Sequence, residues 1–189
     1  MLGEAGFDVT QELDLGATGI PGFTGRGLLV GNTRALWPIF IAARKADPEL
    51  LASRDPLDLY TERTLARAFP GARTWFAHRR YAGAFLPFQK IAVSAGLAAL
   101  APTQLVIHPI YGPWLALRAV VALDGDPPAT KALTYRCTGE CELRLAAALQ
   151  TDDWRAWLAM RDACCVGREF RYGETQLAYH YTKDLALLS

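Results

Sequence analysis

The sequence predicts an α+β domain, with a central, mostly antiparallel sheet flanked by helices and a helical C-terminal third. Three observations point there. Short apolar, strand-like runs are separated by turns too brief for crossover helices, which favours antiparallel pairing over a repeated βαβ pattern. Helical periodicity appears before and between those runs. After the loop "DGDPPA" (124–129) the chain changes character, and every remaining segment repeats its apolar residues at helical spacing. A length of 189 residues fits one domain spanning 1–189.

Taken in order, the glycine-rich "GATGIPGFTGRG" (Gly16 to Gly27) is a loop entering a strand, "GLLVGNT". It lacks the Gly-Lys-Ser/Thr ending of a phosphate-binding loop and the strand-to-helix setting of a dinucleotide fingerprint. Asn32 or Thr33 is placed to cap the helix of "RALWPIFIAARKAD". "DPLDLYTERTLARAF" opens on Asp-Pro, carries Leu57, Tyr60, Leu65 and Phe69 at helical spacing, and ends at Pro70-Gly71. "RTWFAHRR" alternates as a strand does. "FQKIAVSAGLAAL" reads as a helix stopped by Pro102, followed by the strand "TQLVIHP", a turn at Tyr111–Pro113 and the strand "WLALRAVVAL". "CELRLAAAL", "DDWRAWLAMRDACC" and "YGETQLAYHYTKDLALL" are the C-terminal helices, the second with Asp152 and Asp153 at its positive end.

Composition narrows the function. A net charge of +1 with 51% hydrophobic residues gives no field that would favour nucleic acid or an anionic membrane. The most apolar window, Ile91 to Ile107, is interrupted by Ser94, Gly96, Pro102, Thr103 and Gln104 and predicts no membrane span. "MLGEAGFDVTQELDLG" lacks the basic-then-apolar order of a signal peptide, so a cytoplasmic protein is expected. Cys137, Cys141, Cys164 and Cys165 offer neither a disulfide scaffold nor a zinc knuckle, which leaves reduced thiols, or else a metal or redox role. The three histidines, His78, His108 and His180, sit near no G-x-S-x-G turn, and no metal site is expected. His108 precedes Pro109 and reads as a ligand, an acid or base, or a hydrogen-bonded turn residue.

Two arginines stand out. Arg118 interrupts the buried-strand run "WLALRAVVAL", and Arg161 interrupts the apolar helix segment "LAMRDACC". A guanidinium among apolar side chains is costly unless an anion pairs with it. Arg161 could pair with Asp162 and Arg118 could reach an edge; together they also fit an anionic ligand in a mostly apolar cavity, gripped bidentately.

The same residues carry a resemblance. "IHPIYGPWLALRAVV" (Ile107 to Val121) resembles the most specific segment of the cytosolic cobalamin-processing family, whose human member is defective in methylmalonic aciduria and homocystinuria type C. "RDPLDLY" (Arg54 to Tyr60), "WLAMRDA" (Trp157 to Ala163) and "YGETQLAY…LALL" (Tyr172 to Leu188) resemble further segments of that family in the same order. The resemblance implies a flavin reductase or nitroreductase-like fold holding cobalamin where that superfamily holds flavin. It implies base-off cobalamin binding and removal of the upper axial group, with glutathione or reduced flavin as the source of electrons. Arg118 and Arg161 match two arginines that hold glutathione in the family, while "HYTKDLALL" offers Lys183 where a third would stand. His108, Tyr111, Gly112, Trp114 and Leu117 are the expected cofactor-binding residues, with Gly112 allowing close backbone approach and Trp114 presenting a flat apolar surface. The alternatives are a cobalamin carrier without chemistry, an FMN-dependent reductase of the same fold, or a cobalamin reductase needing a separate iron–sulfur partner, because no cluster motif is present. A homodimer is compatible with all of them.

Overall fold

A computed structural model describes residues 1–130, 133 and 140–189. Its elements, in chain order, begin with β1 (Val9–Asp14), β2 (Arg26–Asn32), α1 (Leu36–Ala46), α2 (Pro48–Ala52) and α3 (Pro56–Ala68). The middle holds β3 (Thr74–Phe76), β4 (Arg80–Tyr81), β5 (Ala84–Phe85), α4 (Phe88–Ser94), β6 (Ala99–Leu100), β7 (Val106–Ile107) and β8 (Ala116–Leu123). Helices α5 (Glu140–Ala148), α6 (Trp154–Asp162) and α7 (Glu174–Thr182) complete the chain. Among the described residues, the main sheet runs β1-β2-β8-β3 and all its pairings are antiparallel.

The two central strands are the most apolar segments because both their faces are covered. One face, with Leu29 and Val120, packs on Phe88, Ile91 and Ala92 of α4 and on Phe23 and Trp75, whose rings lie 4.2 Å apart. The other face, with Val30, Ala119 and Val121, packs on Leu36 and Phe40 of α1, Leu57 and Leu65 of α3, and Tyr179 of α7. A third cluster, Trp114, Leu158, Tyr172 and Leu177, joins α6 and α7 to the turn before β8.

Several expected elements are shorter. The strand of "RTWFAHRR" stops at Phe76; the chain then turns, and Arg80 to Phe85 form a separate hairpin whose loop, Ala82 and Gly83, has φ of 51° and 86°. Positive φ at both loop positions is what a two-residue hairpin turn needs. The helix of "FQKIAVSAGLAAL" ends at Ser94, where Gly96 at φ 69° lets the chain reverse, and Ala99–Leu100 pair with Val106–Ile107. The expected strand "TQLVIHP" is reduced to those two residues. Strand β1 was not anticipated: Val9 and Leu13 are buried and the intervening polar residues lie on the sheet edge. The capping role splits. Thr33 Oγ accepts from the Ala35 backbone just ahead of α1, whereas the Asn32 side chain faces elsewhere.

Candidate functional site

Strand β8 begins where the sheet meets α6 and α7, and the space between them is a cavity of about 560 Å³. Its apolar wall includes Phe85 and Leu86 from the hairpin segment, Leu117 from β8, and Trp157 and Met160 from α6. Its polar wall is cationic: Arg118, Arg161 and Lys183 line it together with His180 and Tyr181. Among the described residues, no carboxylate lines it.

Arg118 reaches this cavity through a local irregularity. Val30 pairs with Ala119 but Gly31 pairs with Leu117, so Arg118 is the extra residue of a β-bulge. A regular strand would put residues 117 and 119 on one face; here Ala119 packs with the α1 side and Leu117 with the α4 side. The bulge aims Arg118 along the boundary, where its Nε donates to Asn32 Oδ1 at 2.7 Å. Asn32 is wholly buried and its Nδ2 donates to the Thr33 carbonyl at 2.7 Å, which fixes which end of the amide faces the guanidinium. Burial pulls the Arg118 pKa below its usual value, and Tyr172, Asp58 and Tyr179 act in the opposite direction. It stays a cation at any working pH.

Arg161 is more enclosed, with 5% of its surface exposed. Its Nη2 donates to the Pro113 carbonyl at 2.7 Å, and its guanidinium carbon lies 4.6 Å from the Trp114 ring centroid and 5.3 Å from that of Tyr172. Asp162, next to it in sequence, instead accepts from Arg171 Nε at 2.7 Å. Arg161 therefore carries its charge into the cavity without a carboxylate of its own among the described residues.

The turn "HPIYGPW" is held from within. His108 Nδ1 accepts from the backbone N–H groups of Ile110 and Tyr111 at 3.1 and 3.2 Å, and the His108 ring stacks on Tyr111 at 4.6 Å. Burial lowers the His108 pKa. Gly112, at φ 55°, lies against the chain at Val166–Gly167: a Cβ there would sit 2.0 Å from the Val166 carbonyl oxygen. Gly167, at φ 71°, returns the contact, since its Cβ would meet the Tyr111 carbonyl at 2.3 Å. The close approach that Gly112 permits is thus between two backbone segments of the chain. Trp114 is buried beneath Arg161. Of the expected site residues, Leu117, Arg118 and Arg161 line the cavity, while His108, Tyr111, Gly112 and Trp114 form the support behind its wall.

His180 and Lys183 also line the cavity; the sequence pattern gives His180 no role and Lys183 only that of a substitute charge. Burial, then Arg161, Lys183 and Arg118 in that order, bring the His180 pKa down to about 3, so its imidazole is neutral. Burial and Arg118 also lower the Lys183 pKa, while Asp58 and Asp55 raise it. Lys183 has a left-handed backbone, φ 57°, at the end of α7. Cys141 and Cys164 are buried and Cys165 is exposed; Cys137 lies outside the described residues. Among the described residues, no group of three or more His, Cys, Asp or Glu could hold a metal ion, and no helix is long and apolar enough to cross a membrane.

No protein-family model matches the chain, and no curated protein does. Among solved structures, it is similar to a Caenorhabditis elegans B12-trafficking protein, CblC, described as a homologue of human MMACHC. The superposition covers 95% of this chain and 88% of that one, with a TM-score of 0.64 and 16% identity. Over nearly its whole length, then, this chain has the mixed α/β fold of the B12-trafficking protein CblC.

Proposed function

We propose that this chain is a member of the cobalamin-processing family, of nitroreductase-like architecture, which binds cobalamin base-off at this cavity and removes its upper axial ligand. The observation that carries the reading is a cavity with an apolar wall and three cations, no lining carboxylate among the described residues, in a chain with the fold of a B12-trafficking protein. Cobalamin is the substrate. It is larger than the cavity, so in this reading one face of the corrin covers the opening against Phe85, Leu117 and Trp157 while the upper ligand projects inward. Arg118, Arg161 and Lys183 attract an anionic thiol, favour its thiolate form and hold it close to the bond to be broken. In dealkylation the thiolate sulfur bonds to the alkyl carbon, the cobalt–carbon bond breaks, and its electron pair stays on cobalt. Reductive decyanation would draw on a thiol or reduced flavin instead. No protein acid or base is required, and a neutral His180 is in keeping with that. This reading places the protein in the cytoplasm, where glutathione and reduced flavins are available.

A carrier without chemistry is the second reading, favoured by Lys183, which supplies charge but no fork. The test is an anaerobic visible spectrum of the protein with methylcobalamin, before and after glutathione. A base-off shift followed by conversion to a lower-valent cobalt spectrum supports dealkylation. A shift without conversion supports the carrier, and no shift by a folded protein rejects cobalamin and directs the search to flavin.

A further inference from the structure

One residue of the cavity wall holds its place at a conformational cost. Pro102, Thr103 and Gln104 form the loop between β6 and β7, closed by the Ala101 N–H donating to the Leu105 carbonyl at 2.8 Å and the Gln104 N–H donating to the Ala101 carbonyl at 2.9 Å. The last residue of a three-residue hairpin loop takes a left-handed backbone and is ordinarily glycine. Here it is glutamine, at φ 63°. Among the described residues, positive φ falls on ten glycines and on only three residues with a Cβ, Ala82, Gln104 and Lys183. Two of those three, Gln104 and Lys183, line the cavity. The Gln104 side chain is exposed, and among the described residues its amide has no hydrogen-bond partner. Nothing in the described fold offsets the backbone cost, and strain of this kind collects where a side chain serves a ligand.

The polar groups facing the cavity also divide by wall. Cations come from Arg118 near the start of β8, from Arg161 of α6 and from Lys183 at the end of α7, whereas α4 and the β6–β7 loop, which pack together, contribute the neutral amides of Gln89 and Gln104. We infer that Gln104 is a carboxamide receptor that reads the edge of the ligand. This rests on the proposed function for the identity of that ligand: the corrin of cobalamin carries acetamide and propionamide side chains around its rim. A primary amide presents a donor N–H and an acceptor C=O in one plane, and a glutamine side chain meets it with the complementary pair. A cation in that place would leave the ligand's N–H without an acceptor, and a carboxylate would leave its C=O without a donor. A side-chain amide satisfies both and adds no charge, so the cations of the opposite wall are left for an anionic reactant.

The test titrates the intact chain with two corrinoids that lack the nucleotide tail, followed by their visible spectra. Dicyanocobinamide has side chains ending in amides; dicyanocobyrinic acid heptamethyl ester has side chains ending in esters, with no N–H. Q104M keeps the length of the side chain and the left-handed backbone but removes donor and acceptor. It should weaken cobinamide binding roughly threefold to tenfold, as expected for loss of hydrogen bonds between neutral groups, and leave the ester within about twofold of wild type. Q104G should weaken cobinamide binding likewise while holding Tm or raising it by up to about 4 °C, because glycine takes this backbone without strain. A side chain that served the fold would do the reverse. The inference is overturned if Q104M or Q104G binds cobinamide as wild type does, if the ester loses as much affinity as the amide, or if Q104G lowers Tm by more than about 2 °C. Wild type that takes up cobalamin and cobinamide, with no loss in either variant, removes the receptor and leaves the cobalamin reading standing. Wild type that binds neither corrinoid overturns both.

Discussion

The interlock of Gly112 with Gly167 makes a quantitative prediction. Replacing Gly112 by alanine places a methyl 2.0 Å from the Val166 carbonyl oxygen and 2.7 Å from its carbon, well inside contact distance, and does so at φ 55°. Left-handed backbone costs a residue with a Cβ about 1–2 kcal/mol, and forcing a methylene into filled space adds about 1–3 kcal/mol. G112A should therefore lose about 2–5 kcal/mol of unfolding free energy. At this chain length each kcal/mol lowers Tm by about 2–4 °C, so thermal and urea unfolding followed by circular dichroism will resolve it. The backbone cannot yield without separating the turn before β8 from the segment between α6 and α7. The same change should thus disturb the Arg161–Trp114 contact. G167A attacks the same interface from the other side, and once the segments have parted the second methyl costs little. The double variant should lose clearly less than the two single losses combined. Strict additivity, or a G112A protein within about 0.5 kcal/mol of wild type, would refute the interlock.

Other predictions concern the cavity. R118A should abolish glutathione-dependent conversion of methylcobalamin while keeping the base-off spectral shift; loss of both together would place Arg118 in corrin binding instead. R161A should weaken conversion more than cobalamin affinity, and it should also lower stability, because the guanidinium bridges Pro113, Trp114 and Tyr172; equal loss of conversion and affinity rejects a thiol-holding role. The His180 pKa of about 3 lies below the ordinary histidine value of about 6.5, so only the unfolded chain takes up that proton between those values. Stability should then fall as pH drops from about 6.5 toward 3, by up to about 1.4 kcal/mol per unit from this residue, and urea titrations of H180Q should lack that part of the slope. Among the described residues the buried Tyr172 hydroxyl has no partner at hydrogen-bond geometry, although the Arg161 guanidinium acts on it; Y172F should raise unfolding free energy by up to about 1 kcal/mol, and destabilisation would show that the two are bonded in solution.

Much of the scaffold was legible because patterning carries it. The double-sided apolar runs gave β2 and β8, and helical spacing with caps and stops gave α1, α3, α6 and α7. Strand β1 was missed because an edge strand buries only Val9 and Leu13 in a polar stretch. The length of α4 was overestimated because an apolar run does not reveal that Gly96 reverses the chain. At the site, Arg118 and Arg161 were visible as charges in apolar surroundings. Asn32 carried a signal of the same kind, a polar side chain ending an apolar strand, and two such anomalies on different strands could have been matched as partners. The bulge that brings them together left no mark, since it adds a residue without altering composition. His180 and Lys183 were hidden because a short helix with aromatic residues on several sides does not show which face meets a cavity.

The cavity has one wall on the sheet and hairpin and the other on α6 and α7, and α7 is tied to the sheet through Tyr179 while Trp114 ties the turn before β8 to α6 and α7. A molecule seated between the walls works like mortar. It would add its affinity to the cohesion of the C-terminal helices with the rest of the chain, so the temperature at which those helices come away would rise with its concentration.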